Sequence, residues 1–406
     1  MTGSTESASV SAVRRKGEER RALGVACGAH VLHDGYTDLI YVLLPIWQSE
    51  FGLGFAALGL MKTVFSGTLA AFQIPSGYLA ERFGTALILA LGTALAGLGY
   101  CLAGLSTGVA LLVAALFVGG LGASTQHPLA SSLIAQAFSG ARSRTALGTY
   151  NFAGDIGKMT LPAAASLLFV VLPWREAVAL LGGIGVLAAI AIFVVMPRSR
   201  AEAAAPRQSE GGGRAGGAVR NYGFPLLLSV GVIDSATRMA FLTFLPFVLT
   251  AKGASLPTVG LALTLVFAGG AAGKLVCAYI GARIGTVATV WLTEAVTALG
   301  IVALLPLPLE LALVLLPVVG VALNGTSSVL YGTVPDLVEP ARRPRAFGIF
   351  YTGTIGAGAV SPAIYGLLGD AVGVPSALMV VAAVVLITLP ITLMLRPVLA
   401  SAAPSL

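Results

Sequence analysis

The chain has 406 residues, of which 57% are apolar and only 10% charged, with a mean hydropathy of +0.92 and a formal net charge of +7. Soluble domains carry about a quarter charged residues, and so few polar side chains cannot cover a chain of this size in water. A soluble globular enzyme, a disordered chain and a secreted disulfide scaffold are excluded. What remains is an all-α membrane protein crossing the bilayer many times, in which 51 glycines and 21 prolines are at home.

The first 21 residues are polar and end in the charged cluster Arg14, Arg15, Lys16, Glu18, Glu19, Arg20 and Arg21. The apolar run that follows is too long for a signal h-region and lacks a cleavage site, so no cleavable signal is expected. Apolar stretches of about 20 residues or more predict twelve spans: 22–47, 57–79, 85–105, 109–137, 145–172, 177–196, 223–249, 258–280, 286–306, 309–334, 346–369 and 375–395. The runs are continuous, not alternating, which predicts helices and not barrel strands. The connection 197–222, rich in Ala, Gly and Arg, reads as a flexible linker. The expected organisation is a tail 1–21, a six-helix bundle 22–196, the linker, a second six-helix bundle 223–396 and a tail 397–406.

With the N-terminus placed in the cytoplasm, the cytoplasmic segments hold eighteen lysines and arginines, and the opposite side holds only Arg175 and Lys252. This positive-inside bias predicts both termini in the cytoplasm. It accounts for the net charge without a nucleic-acid partner. The three cysteines (Cys27, Cys101, Cys277) lie in apolar runs and outline no disulfide framework.

The two halves resemble each other at an offset of about 200 residues: Asp34 answers Asp234, Arg82-Phe83-Gly84 answers Arg283-Ile284-Gly285, and Pro162 answers Pro362. Arg144 through Gly148 answers Arg345 through Gly348. A parallel repeat of six spans suits two bundles around a midplane cavity and alternating access.

Charges within spans cost at least about 3 kcal/mol each on insertion scales, so they are expected to face a cavity or a partner. His30, Asp34 and Asp38 follow at four-residue spacing and share one helix face. Asp34 reads as a proton site tuned by His30, or both hold a neighbouring helix by a hydrogen bond. Asp155 and Lys158 stand one turn apart, either as an internal ion pair or with Lys158 binding an anionic substrate. Asp234 and Arg238 form a local pair, or Arg238 reaches Asp34 or the substrate across the cavity through its forked donors. Gln126, His127, Asn151, Asn324, Tyr331 and Tyr351 are further candidates for lining the cavity. His127 precedes Pro128, where a kink would free backbone carbonyls. Lys62 and Lys274 read as snorkelling to the interface, His33 as a packing residue and Glu294 as structural.

Twelve spans, a central basic loop and the repeat resemble the major facilitator superfamily of transporters. Gly77-Tyr-Leu-Ala-Glu81-Arg82-Phe-Gly84 is similar to its G-x-x-x-D-R-x-G loop, with Glu81 where Asp is usual, and the resemblance implies a gating role for Gly77, Glu81, Arg82 and Gly84. His30 through Gly35, Gln126-His127-Pro128 and Gly148 through Gly157 resemble its fosmidomycin-resistance branch, with Asp155 and Lys158 where small or neutral polar residues are usual there. The resemblance implies a monomer in the bacterial inner membrane that exports a small organic compound in exchange for protons, with the two bundles rocking. Asp34, His30, Asp155 and Asp234 would carry the proton. Lys158 and Arg238, with Asp38 and the cavity-lining candidates, would bind a substrate of anionic character, such as a phosphonate or carboxylate. The alternative on the same fold is a proton-coupled importer or exchanger of organic anions. No P-loop, zinc spacing or nucleophile elbow occurs, so no catalytic residue, cofactor or metal is expected.

Overall fold

The computed structural model describes residues 2–138, 140–196, 222–339 and 342–402. All but Tyr222 of the expected linker, with Arg198, Arg200, Arg207, Arg214 and Arg220, lies outside the described residues, as do the side chains of Arg14, Arg15 and Arg144. In chain order the helices are α1 (Thr2–Phe51), α2 (Phe55–Phe83), α3 (Thr85–Gly104), α4 (Val109–Ala123), α5 (Gln126–Ala137), α6 (Gly140–Val171) and α7 (Trp174–Val195). After the linker come α8 (Gly223–Ala251), α9 (Leu256–Ile284), α10 (Thr286–Leu304), α11 (Leu309–Leu337), α12 (Arg343–Val372), α13 (Val374–Val385) and α14 (Thr388–Ala402). Because α4 with α5 and α13 with α14 each make one span, the described segments form twelve rods. Eleven of these are long and apolar enough to cross a membrane by length and composition alone. The exception is α1, whose apolar run is interrupted by His30, His33, Asp34 and Asp38.

Both broken spans have the same cause. Pro128 is the third residue of α5 and Pro390 the third of α14. A proline leaves the carbonyl four residues earlier without its helical donor, and each rod breaks at that point. Nearby hydroxyls take up carbonyls there: Ser124 Oγ donates to Leu121 O, Thr125 Oγ1 to Gly122 O, and Thr388 Oγ1 to Val385 O.

The described residues divide into two compact units. One takes the chain up to Leu39 and from Ala71 through α7; the other takes Ile40–Ala70 and α8 onward. This differs from a division at 22–196 and 223–396 in the placing of residues 40–70. In the first unit α3 packs on α7 and α4, with Gly97 against Gly182 and Gly99 against Gly119. In the second, α9 packs on α11 through Gly269, Gly273 and Gly320, and α8 packs on α12. Glycines at helix contacts let backbones approach where lipid gives no hydrophobic drive.

The repeat reappears in the backbone. Gly84 and Gly285 each join two helices directly, with φ of +96° and +82°, conformations open to glycine. Large apolar side chains such as Leu187, Val194, Leu275 and Val314 face outward, while Asp34, Asp38, Asp155, Asp234 and Glu294 are buried. This is the distribution a hydrocarbon solvent imposes.

Candidate functional site

The first unit gathers its ionisable groups where α1, α5 and α6 meet. The approach of α6 to α1 depends on glycine. A β-carbon at Gly157 would overlap the Val31 carbonyl, and one at Gly154 would lie 2.5 Å from His30 Nε2 and 2.8 Å from Asp34 Oδ2. This close approach puts Lys158 Nζ 3.4 Å from Asp34 Oδ2. The break before α5 turns His127 inward, with its Nε2 3.7 Å from Asp34 Oδ1. Asp34 is thus surrounded by His30, His127 and Lys158. Its side chain is 10% exposed, against 32% for Lys158.

The hydrogen bonds determine where protons sit. His30 Nδ1 lies 2.7 Å from the Tyr150 carbonyl oxygen, which only accepts, so Nδ1 carries a hydrogen. The Tyr150 ring stacks on the imidazole at 4.0 Å, and its hydroxyl accepts from Gln126 Nε2 at 2.9 Å. The other imidazole nitrogen, Nε2, stands 3.2 Å from Asp34 Oδ2. A neutral His30 with Nδ1 protonated presents a lone pair there, and a carboxylate presents another. The contact therefore becomes a hydrogen bond only with one added proton, on either partner. The ammonium of Lys158 competes for the same oxygen.

His30, Asp34 and His127 each offer an atom within 4.8 Å of the others, close enough for one cation. Lys158 already faces Asp34 Oδ2, and His30 Nδ1 is held by Tyr150. His33 is apart from this cluster, with Nε2 2.9 Å from Thr93 Oγ1. Tyr150 and Gly154 are not singled out by the sequence, since one acts by stacking and a backbone carbonyl and the other by its lack of a side chain.

Of the remaining candidates in the first unit, Asp38 and Asp155 are buried and Asn151 is exposed. In the loop motif Glu81 and Arg82 are exposed, Gly77 is half-buried, and the Arg82 guanidinium lies over the Phe83 ring at 5.3 Å.

In the second unit Asp234 is buried with its carboxyl within hydrogen-bonding reach of Glu294 of α10, and Arg238 acts electrostatically on both. Glu294, read from the sequence as structural, is 1% exposed and faces Asp234. The reading of Lys62 as snorkelling is corrected. The residue is 1% exposed, with Nζ 4.3 Å from the Tyr41 ring centroid, so an aromatic face and not the interface receives its charge. Tyr331 and Tyr351 come together at 4.5 Å between centroids, Tyr331 also stacking on Phe347. Asn324 donates to Gly320 O and packs over Gly270.

Comparison with known proteins bears on the family and the fold. Residues 26–225 and 226–405 each match the Major Facilitator Superfamily. The chain is 27% identical over 365 residues to the fosmidomycin resistance protein of Escherichia coli (strain K12), covering 86% of each. It is 32% identical over 165 residues to a probable sulfoacetate transporter of Cupriavidus necator, covering 40% of this chain and 38% of that one. A bacterial homologue of the human lysosomal transporter Spinster, solved inward-facing and unoccupied, superposes with a TM-score of 0.78 at 15% identity, over 96% of this chain and 99% of the other. With the family matched over both halves and the fold over nearly its whole length, the chain belongs to the Major Facilitator Superfamily of membrane transporters.

Proposed function

We propose that this transporter moves a small organic anion and a proton in coupled fashion, with Asp34 as the common element. The observation that carries the reading is that Lys158 Nζ and His30 Nε2 both face Asp34 Oδ2, at 3.4 and 3.2 Å. Protonating the His30–Asp34 pair weakens the hold of Asp34 on Lys158 and leaves the ammonium ready for an anionic substrate. Deprotonation restores the Asp34–Lys158 pair and expels the anion. Proton and anion therefore load together, which favours symport or exchange of anions. The similarity to a probable sulfoacetate transporter supports an anionic substrate.

A second reading is antiport with export. It is favoured by the relative named for fosmidomycin resistance. In either reading the protein works as a monomer in the inner membrane with both termini cytoplasmic, by alternating access of its bundles 22–196 and 223–396. Asp155, Asp38 and Arg238 contribute charge to the pathway.

The test uses the full chain in proteoliposomes with a pH-sensitive dye inside, and sulfoacetate or a simple phosphonate added outside. Internal acidification on addition supports symport, and alkalinisation establishes antiport. Asp34→Asn is expected to abolish either signal. Lys158→Gln is expected to weaken anion affinity about 10- to 100-fold, as loss of a charged hydrogen bond implies. Flux that survives Asp34→Asn would place the coupling residue elsewhere.

A further inference from the structure

We infer that Asp234 and Glu294 form a second proton site, a carboxyl pair holding one proton between them. The two carboxyl groups stand within hydrogen-bonding reach of each other, from α8 and α10. A carboxylate only accepts hydrogen bonds, so a bond between two carboxyl groups requires a proton on one of them. Both residues are buried, at 3% and 1% exposure, and no water-facing surface relieves their charge.

The charge count leads to the same proton. Arg238 acts electrostatically on both carboxyls, and α11 places the neutral hydroxyl of Thr326 beside Glu294. Two carboxylates and one guanidinium leave one negative charge in a medium where a net charge is costly. One proton makes the cluster neutral.

The cluster also retains unused hydrogen-bonding capacity. Glu294 Oε1, Thr297 Oγ1 and Arg238 Nε are buried without a hydrogen-bond partner. Such capacity is costly to bury in a purely structural knot, and it gives a proton or a re-paired guanidinium somewhere to go. Loss of the proton would leave both carboxylates to Arg238, whose forked donors can serve two acceptors.

The experiment is infrared difference spectroscopy on the full chain in lipid nanodiscs at neutral pH, reading the carbonyl stretch of protonated carboxylic acid and its shift in heavy water. The protein as it stands is expected to show a band that Glu294→Gln and Asp234→Asn each remove, since either variant leaves one carboxylate balanced by Arg238. Arg238→Gln is expected to raise the band about twofold, because neutrality then demands two protons. Asp34→Asn is expected to leave it in place, so this result is independent of whether Asp34 couples transport. A difference spectrum without a band, or a band unchanged in both carboxyl variants, would overturn the assignment. Each variant is first required to elute as a single species of the parent's size.

Discussion

Gly154 has no room for a β-carbon: one added there meets His30 Nε2 at 2.5 Å and Asp34 Oδ2 at 2.8 Å. Alanine in a helix gains up to about 1 kcal/mol over glycine, and forced repacking costs about 1–3 kcal/mol. The net cost in stability is about 0–2 kcal/mol, and the geometry changes more, because the displaced groups are His30 and Asp34. Gly154→Ala is therefore expected to fold normally and to lose substrate-driven proton flux by about tenfold or more, a misplacement effect. Gly148→Ala on the same helix meets nothing within 4 Å and is the matched control, expected to behave as the parent. The residues of the site were unequally legible in the sequence. His30 and Asp34 declare themselves by one-turn spacing inside an apolar run. The contact of Lys158 with Asp34 does not, since it depends on the close packing of α6 on α1, which brings the two within 3.4 Å. Glu294 looked peripheral because its partner lies 60 residues away in the chain, on another helix.

Among the elements, the spans were legible because each needs about 20 apolar residues, and the proline after His127 announced the interruption at 124–125, but the one at 386–387 was not legible, since apolar residues continue through Leu386 and Ile387. Proline position is the signal that marks them. Helix ends carry similar information. The first two free N–H groups of α2 are capped from α12: Phe55 N donates to Asp370 Oδ1 at 2.6 Å and Ala56 N to Oδ2 at 2.9 Å. Asp370 lies one residue past the predicted span 346–369, where a lone acid at a helix end attracts no notice. Loss of a capping side chain costs about 1 kcal/mol, within a range of 0.5–2. Asp370→Ala is expected to destabilise the protein by that amount, read as a lower midpoint of heat-induced aggregation in detergent. Asp370→Asn keeps one acceptor and is expected to fall between the two. Equal midpoints for all three would show that the cap contributes nothing.

At the scale of the whole molecule the sidedness rests on eighteen cations against two, and the two exceptions have structural employment. Arg175 donates from Nε and Nη2 to Ser106 O, and Lys252 Nζ donates to Leu305 O and Leu307 O. Each satisfies carbonyls just past the end of a helix, where a cation is also favoured by the helix dipole. They are needed for local structure and do not weaken the positive-inside argument, which then puts the turn after α3 outside and the junction of α2 with α3 inside. Single cysteines test this directly. Thr107 in the first turn and Glu81 near the second are both exposed. A membrane-impermeant maleimide applied to intact cells is expected to label Thr107→Cys and to leave Glu81→Cys unlabelled until the membrane is permeabilised. Cys27, Cys101 and Cys277 are buried or half-buried, and the parent protein measures their background. The reverse labelling pattern would place the N-terminus outside. The cation count would then have failed as a guide to sidedness, and the proton would reach Asp34 from the opposite side.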